Sequence, residues 1–148
     1  LLQRFQQARS DLSQRYSTPL KHNINQVLKP LLRNPADSCS IHYDPQDGLQ
    51  QLGLQREGTL FSFDQLSGGM KEQLNAALRI AIADTLKERH GGCLPLLFDD
   101  AFTNTDAQRL QGVLEMLQQA VSRGLQIIVL SCDPDPYKSV ANKLIMID

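Results

Sequence analysis

Three near-continuous apolar runs, Cys93–Phe98 (CLPLLF), Leu125–Leu130 (LQIIVL) and Lys143–Asp148 (KLIMID), limit what this chain can fold into more than any other feature. A strand that alternates apolar and polar residues suits a half-exposed sheet. An unbroken apolar run suits a strand covered on both faces, the condition of parallel sheets flanked by helices. Between the first two runs Leu110, Val113, Leu114, Leu117 and Val121 recur at spacings of three and four, the stripe of an amphipathic helix. Strand, helix, strand, helix, strand predicts an α/β fold built on parallel strands.

Upstream the periodicity changes twice. Leu1, Phe5, Ala8, Leu12 and Tyr16 form a narrow stripe among Gln, Arg, Ser and Asp, as expected of a plain amphipathic helix or of the end of a coiled coil. Thr18-Pro19 reads as an N-cap followed by proline at the first helical position. That predicts a second helix carrying Leu20, Ile24, Val27 and Leu28, stopped by Pro30. From Asn34 to Phe63, Pro35, Pro45, Gly48, Gly53 and Gly58 punctuate short alternating segments. Ser40–Tyr43, Gly48–Leu54 and Thr59–Phe63 are predicted to be small antiparallel strands. Met70, Leu74, Ala77, Leu78, Ala81, Ile82 and Leu86 then mark one face of a long helix. Lys71, Glu72, Asn75, Arg79 and Lys87 lie opposite, and Gly91-Gly92 closes it. The chain thus divides into N-terminal helices, residues 1–32, and an α/β lobe, residues 33–148.

Its 148 residues are one domain's worth, with enough apolar content for a core. Lys and Arg number 15 against 16 Asp and Glu, a formal net charge of -1, which excludes a generally basic nucleic-acid-binding domain and leaves any DNA contact local or elsewhere. No apolar run approaches the ~18 residues of a membrane span, and Leu1-Leu2 is not followed by a signal-peptide core. Cys39, Cys93 and Cys132 are odd in number and lack C-x-x-C spacing, against both a disulfide framework and a zinc site, so a reducing cytoplasm is expected. His22, His42 and His90 lack ligand spacing and are read as ordinary surface or packing residues. The text begins in mid-helix with Leu rather than Met, as expected of a piece of a longer protein.

Two short stretches carry chemistry. In FDQLSGGMKEQL, Ser67-Gly68-Gly69 directly precedes the long helix. The first turn of a helix leaves N–H groups unpaired and carries partial positive charge, which suits a phosphate. Glycines remove the Cβ atoms that would hold a phosphate off, and Ser67 adds a hydroxyl donor. The same tripeptide also fits a simple capped turn. In LPLLFDDAFTNTD, Asp99 and Asp100 fall at the C-terminal end of a predicted parallel strand, where open α/β sheets bind their ligands. Asp99 fits a Mg²⁺ ligand, direct or through water, and Asp100 a residue polarising water for attack on phosphate; the alternative is a solvated turn.

LSGGMKEQL resembles the signature of ABC-type ATPases, LPLLFDD a Walker B strand and AFTNTD a D-loop, in the family's order from Phe63 to Asp148. The helix EQLNAALRIAIAD is similar to that of SMC and SbcC-type DNA-repair ATPases, especially the bacterial YhaN group. The resemblance implies a P-loop NTPase head split by a coiled coil, which would suit Leu1–Tyr16. Its N-terminal lobe would carry the Walker A loop and its C-terminal lobe the signature and Walker B. No G-x-x-x-x-G-K-[ST] occurs here, so the chain resembles the C-terminal lobe alone.

By the same resemblance the cofactors are ATP and Mg²⁺, and the Walker A lobe of the same protein is a partner. Two heads form a homodimer around ATP, with Ser67, Gly68 and Gly69 on the γ-phosphate held by the opposite head. Asp99 corresponds to the Walker B aspartate, and Asp106 to the D-loop aspartate at the dimer seam, where a helix N-cap is the alternative. Arg79 corresponds to a signature-helix arginine that couples nucleotide state to the coiled coil, where a solvated face is the alternative. DNA, bound through the full-length protein, and a nuclease are implied partners; a membrane is not. Two positions depart from the family pattern. Asp100 stands where glutamate is usual, although Asp-Asp pairs occur in RecF-like and YhaN-like members, and VLSCDPDP places Cys132 and Asp133 where a histidine is common. The implied function is an ATP-hydrolysing clamp on DNA in repair or chromosome maintenance. The alternative is a dimerisation module that binds ATP without hydrolysing it. A transporter-type ABC domain fits poorly, because the head is split and led by a helix.

Overall fold

The N-terminal pattern forms one helix rather than two. In the computed structural model, which describes residues 2–32, 34–44, 48–92, 94–103 and 105–146, helix α1 runs from Leu2 to Leu28 with Pro19 inside it. Proline removes one ladder bond and costs ~3 kcal/mol in a helix interior. Here the segment after Pro19 is fixed by tertiary contacts instead. Ile24, Val27 and Leu28 are fully buried, Asn23 Nδ2 donates to Thr85 Oγ1 at 3.0 Å, and Asn25 Oδ1 accepts from the Cys39 amide at 2.7 Å. The expected stop at Pro30 holds, because α1 gives way to a 3-10 turn, Lys29–Leu31, that contains it. Of the upstream stripe, Phe5 is 65% exposed and Ala8 is exposed. Leu1 and the side chains of Leu12 and Tyr16 lie outside the described residues.

Strands β1 (Ser38–Asp44), β2 (Gly48–Arg56) and β3 (Thr59–Ser62) form an antiparallel sheet in that order. Glu57 and Gly58 connect β2 to β3 with φ of 47° and 79°, the paired positive values of a two-residue hairpin turn. Gly53 is required by proximity, since a Cβ there would lie 2.5 Å from the Phe61 carbonyl oxygen. Pro45 lies outside the described residues.

Helix α2 (Gly68–Leu86) buries Met70, Leu74, Ala77 and Ala81 as the periodicity predicts, together with Gln73, Ala76, Ile80 and Ala83. Ile82 departs from its predicted face and is exposed. Helix α3 (Ala107–Ser122) buries Val113, Leu114, Met116 and Leu117, while Val121, at the end of its predicted stripe, is exposed. Ile24, Leu28, Leu54, Leu74, Ile80, Phe98 and Met116 share one core. Asp84 on α2 binds Lys87 at 2.9 Å and Arg123 at 3.3 Å, and Lys87 Nζ also donates to the Arg123 carbonyl. The C-terminal ends of α2 and α3 are thereby tied together.

Strands β4 (Leu96–Asp99) and β5 (Ile127–Leu130) are parallel, in register from Leu96 opposite Ile127 to Asp99 opposite Leu130. Burial on both faces is not realised. Phe98 is buried, but Leu97 is 48% exposed, and Ile128 and Leu130 are exposed on the same outward side. The side of the pair that carries Phe98 packs into the core, and the other leaves Leu97, Ile128 and Leu130 exposed. The third apolar run is not a strand over its described part, and Leu144, Ile145 and Met146 are exposed. A lone strand has no ladder to join, and among the described residues none pairs with this segment; Ile147 and Asp148 lie outside them. The amides of Leu96 and Asp100 donate to Gln126 and Leu130 carbonyls at 2.9 and 3.0 Å. Even-numbered residues of β4 therefore face β5, and the backbone of Leu97 and Asp99 faces the open edge.

Candidate nucleotide site

β3 runs into a 3-10 turn, Phe63–Gln65, in which Gln65 Oε1 accepts from the Ser62 amide at 2.9 Å and from its hydroxyl at 3.1 Å. The buried Leu66 anchors the exit, and Ser67 then takes an extended backbone, φ -62° and ψ 156°, as N-cap of α2. Its hydroxyl makes no capping hydrogen bond. The first helical bond runs from the Lys71 amide to the Ser67 carbonyl at 2.9 Å, so the amides of Gly68, Gly69 and Met70 lie ahead of the ladder. Ser67 and Gly68 are exposed and Gly69 is buried. A Cβ on Gly68 would meet nothing within 4 Å, so packing within the chain does not require glycine there. Among the described residues no side chain caps this turn, and it is open to the outside at Ser67 and Gly68.

Asp99 and Asp100 sit where β4 ends, both exposed. Asp99 has no hydrogen bond or ion pair among the described residues. Asp100 is locked by its amide to Leu130 and has φ 43°, and Phe102, two residues on, has φ 72°. Phe102 is buried, its ring 5.7 Å from that of Phe98. The chain re-enters helix at α3, whose N-cap Asp106 accepts from the Arg109 amide at 2.9 Å and pairs with its guanidinium at 3.4 Å. Asp106 therefore serves as the helix cap, and it remains exposed.

Arg79 is not simply solvated. Its Nη2 donates to the Leu97 carbonyl at 2.8 Å, and its guanidinium lies 4.9 Å from the centre of the Phe98 ring. The bond falls on the open edge of β4 and ties α2 to the strand that ends in Asp99.

After β5, Ser131 Oγ donates to the Asp133 carbonyl at 2.9 Å and accepts from the Asp133 amide at 3.1 Å. Cys132 and Asp133 are exposed. The loop closes in a 3-10 turn, Asp135–Tyr137, and the Tyr137 hydroxyl reaches the Ala101 carbonyl at 3.3 Å. Burial raises the Tyr137 pKa, and the nearby carboxylates of Asp133 and Asp100 raise it further, so the hydroxyl stays a protonated donor. Sequence patterning gave no sign of this contact, which joins segments 36 residues apart.

The fold thus gathers Asp99, Asp100 and the 131–137 loop at one end of the parallel pair. No hydrogen bond or ion pair among the described residues joins Ser67–Gly69 to them. No group of three or more His, Cys, Asp or Glu capable of holding a metal occurs among the described residues. An unpartnered carboxylate still fits Mg²⁺, which is commonly held by one or two carboxylates together with substrate phosphates and water.

No family model matches the chain. Over 80 residues, 53% of the chain, it is 39% identical to YhaN of Bacillus subtilis, a match spanning 8% of that protein. Over 126 residues, 85% of the chain, it is 29% identical to Rv1278 of Mycobacterium tuberculosis and to Mb1309 of Mycobacterium bovis, 14% of the length of each. The chain therefore spans a small fraction of these relatives. Among solved structures, an SMC ATPase from work on ATP-driven dimerization and DNA-stimulated activation superposes with a TM-score of 0.70 at 19% identity, covering 95% of this chain and 82% of that one. The Smc head domain of Pyrococcus yayanosii, with a coiled coil and joint, gives 0.70 at 20% identity over 95% of this chain and 26% of that one. A Pyrococcus furiosus Smc head with an extended coiled coil, bound to the C-terminal domain of ScpA, gives 0.67 at 19% identity over 89% and 32%. The chain has the fold of an SMC ATPase head domain.

Proposed function

We propose that this chain, which shares its fold with SMC ATPase heads, is the C-terminal half of a head that binds and hydrolyses ATP, dimerises on it and clamps or processes DNA in repair or chromosome maintenance. The observation that carries this reading is the unspent turn at Ser67–Gly69: a hydroxyl without a capping bond, and Gly68 open to the outside. A γ-phosphate supplies the acceptors that these donors lack. By the resemblance to ABC-type heads, the turn would meet a nucleotide held by the opposite head.

The Walker A lobe would come from elsewhere in the same polypeptide and cover the bare outward face at Leu97, Ile128 and Leu130. Asp99 would hold Mg²⁺, which when bound neutralises charge on the β- and γ-phosphate oxygens. Asp100 would orient the attacking water and take its proton. Asp106 would lie at the seam between heads. Contact with DNA, a nuclease partner and a cytoplasmic location belong to the same proposal.

Replacing Ser67 with Arg in the full-length protein fills the open space with bulk and charge. ATP-dependent association, followed by light scattering, should be lost, while ATP affinity changes by less than about tenfold, or ~1.4 kcal/mol. Unchanged association would return the turn to a simple helix start. The short side chain of Asp100 and the lack of histidine from residue 131 to 137 favour a second reading, in which ATP joins the heads without being hydrolysed. Steady-state turnover with and without DNA separates the two.

A further inference from the structure

We infer that Tyr137 is a positioning residue for Asp100: its hydroxyl holds the Ala101 carbonyl and so fixes the turn that presents the Asp100 carboxylate to water. The inference rests on the role proposed for Asp100. The turn is unusual because two of its three residues, Asp100 and Phe102, have the positive φ values of the left-handed region. Asp tolerates that region through its short polar side chain, but a residue as bulky as Phe does not adopt it without support. Such a segment persists only where its surroundings over-determine it.

Besides the local bond from the Thr105 amide to the Phe102 carbonyl at 3.0 Å, three contacts do so. The Asp100 amide is bonded to Leu130 at 3.0 Å, the Phe102 ring packs on Phe98, and the residue between them is held by Tyr137 at 3.3 Å. Tyr137 is itself fixed. Its amide bonds the Pro134 carbonyl at 3.0 Å, and its carbonyl accepts from the Val140 and Ala141 amides at 3.0 and 2.9 Å. Pro134 and Pro136 further restrict the loop that carries it. The hydroxyl therefore links the anchored 131–137 loop to the turn that follows β4. The link would matter more here than beside a glutamate, because the shorter Asp100 side chain has fewer rotatable bonds with which to make up for a displaced backbone.

Tyr137→Phe keeps the ring and removes only the donor. In the full-length protein, kcat for ATP should fall ~10- to 100-fold, the scale of a small misplacement of a reacting group, with KM within about threefold. Hydrogen–deuterium exchange of the peptide spanning Asp100–Thr105 should become faster. Combined with Asp100→Asn, the variant should be no slower than Asp100→Asn alone, since both act through one carboxylate. Unchanged exchange overturns the inference, as does faster exchange with unchanged kcat or an additive double variant. Asp100→Asn turning over at the wild-type rate would instead remove Asp100 from the reaction and with it the functional reading. The exchange measurement would then still report whether Tyr137 holds the turn.

Discussion

Gly112→Ala sets two effects of opposite sign against each other on α3. Alanine is favoured over glycine in a helix interior by ~1 kcal/mol, so the substitution stabilises unless something is in the way. A Cβ at Gly112 would lie 2.6 Å from the Pro30 carbonyl oxygen, 3.2 Å from Leu31 Cδ2 and 3.3 Å from the Pro30 carbonyl carbon. The Leu31 methyl can rotate aside. The Pro30 carbonyl cannot, because it belongs to the 3-10 turn closed by the Leu32 amide on Lys29 at 3.3 Å. Relief requires that turn to lift from α3 and draw the buried Val27 and Leu28 with it. Overpacking costs ~1–3 kcal/mol, and an immovable backbone atom puts this site in the upper half of that range. Subtracting the helix-propensity gain leaves a net loss of about 1–2 kcal/mol, or a Tm lower by ~2–8 °C for a chain of this size. Urea unfolding followed by circular dichroism measures it, with exposed Gln111→Ala as a control expected within ~0.5 kcal/mol of wild type. A Gly112→Ala protein as stable as wild type, or more so, would refute close docking of the α1 end on α3.

Asp106→Ala should cost about 1 kcal/mol by removing the cap of α3, whereas Asp106→Asn should keep most of that stability in the same unfolding assay. ATP-dependent association lost in the Asn variant would assign the charge to the seam between heads. Burial pushes the Cys39 thiol up to about 12 from an ordinary 9.0, with the charge of Lys21 opposing. The unfolded thiol ionises first, so this contribution to stability is intact below pH 9 and is lost between pH 9 and 12, at ~1.4 kcal/mol per pH unit. Wild type should therefore lose more stability than Cys39→Ala between pH 8 and 10, and parallel losses would count against the buried thiol.

What the sequence could and could not disclose follows from the range of the interactions involved. Short alternating segments and turn residues act locally, so the three antiparallel strands emerge within a few residues of their predicted bounds. Apolar runs report what a strand needs as cover, and Leu97, Ile128 and Leu130 are apolar on a face that the described residues leave exposed. The same reasoning fails at Leu144–Met146, because pairing is a property of two segments. Pro19 misleads for a related reason: a local break signal is overridden by the distant contacts of Asn23, Ile24 and Leu28 with the rest of the fold. Arg79 on Leu97 and Tyr137 on Ala101 are side chains bonded to backbone carbonyls far along the chain, a class of contact that no periodicity encodes.

The two helix starts differ although their local sequence signals agree. Ser67 and Asp106 are both good N-cap residues, and their backbones are nearly identical, φ -62° and ψ 156° against φ -64° and ψ 157°. Local conformation cannot explain why they behave differently. Asp106 bends its carboxylate back onto the Arg109 amide at 2.9 Å and closes the first turn of α3. Ser67, followed by two glycines rather than by side chains, leaves its hydroxyl uncommitted and the first turn of α2 open. The Asp106 carboxylate takes one first-turn amide and sets a negative charge beside the others, whereas Ser67 offers a neutral hydroxyl beside amides that no capping side chain uses. The open turn at α2, rather than the closed one at α3, is therefore where a phosphate would gain most.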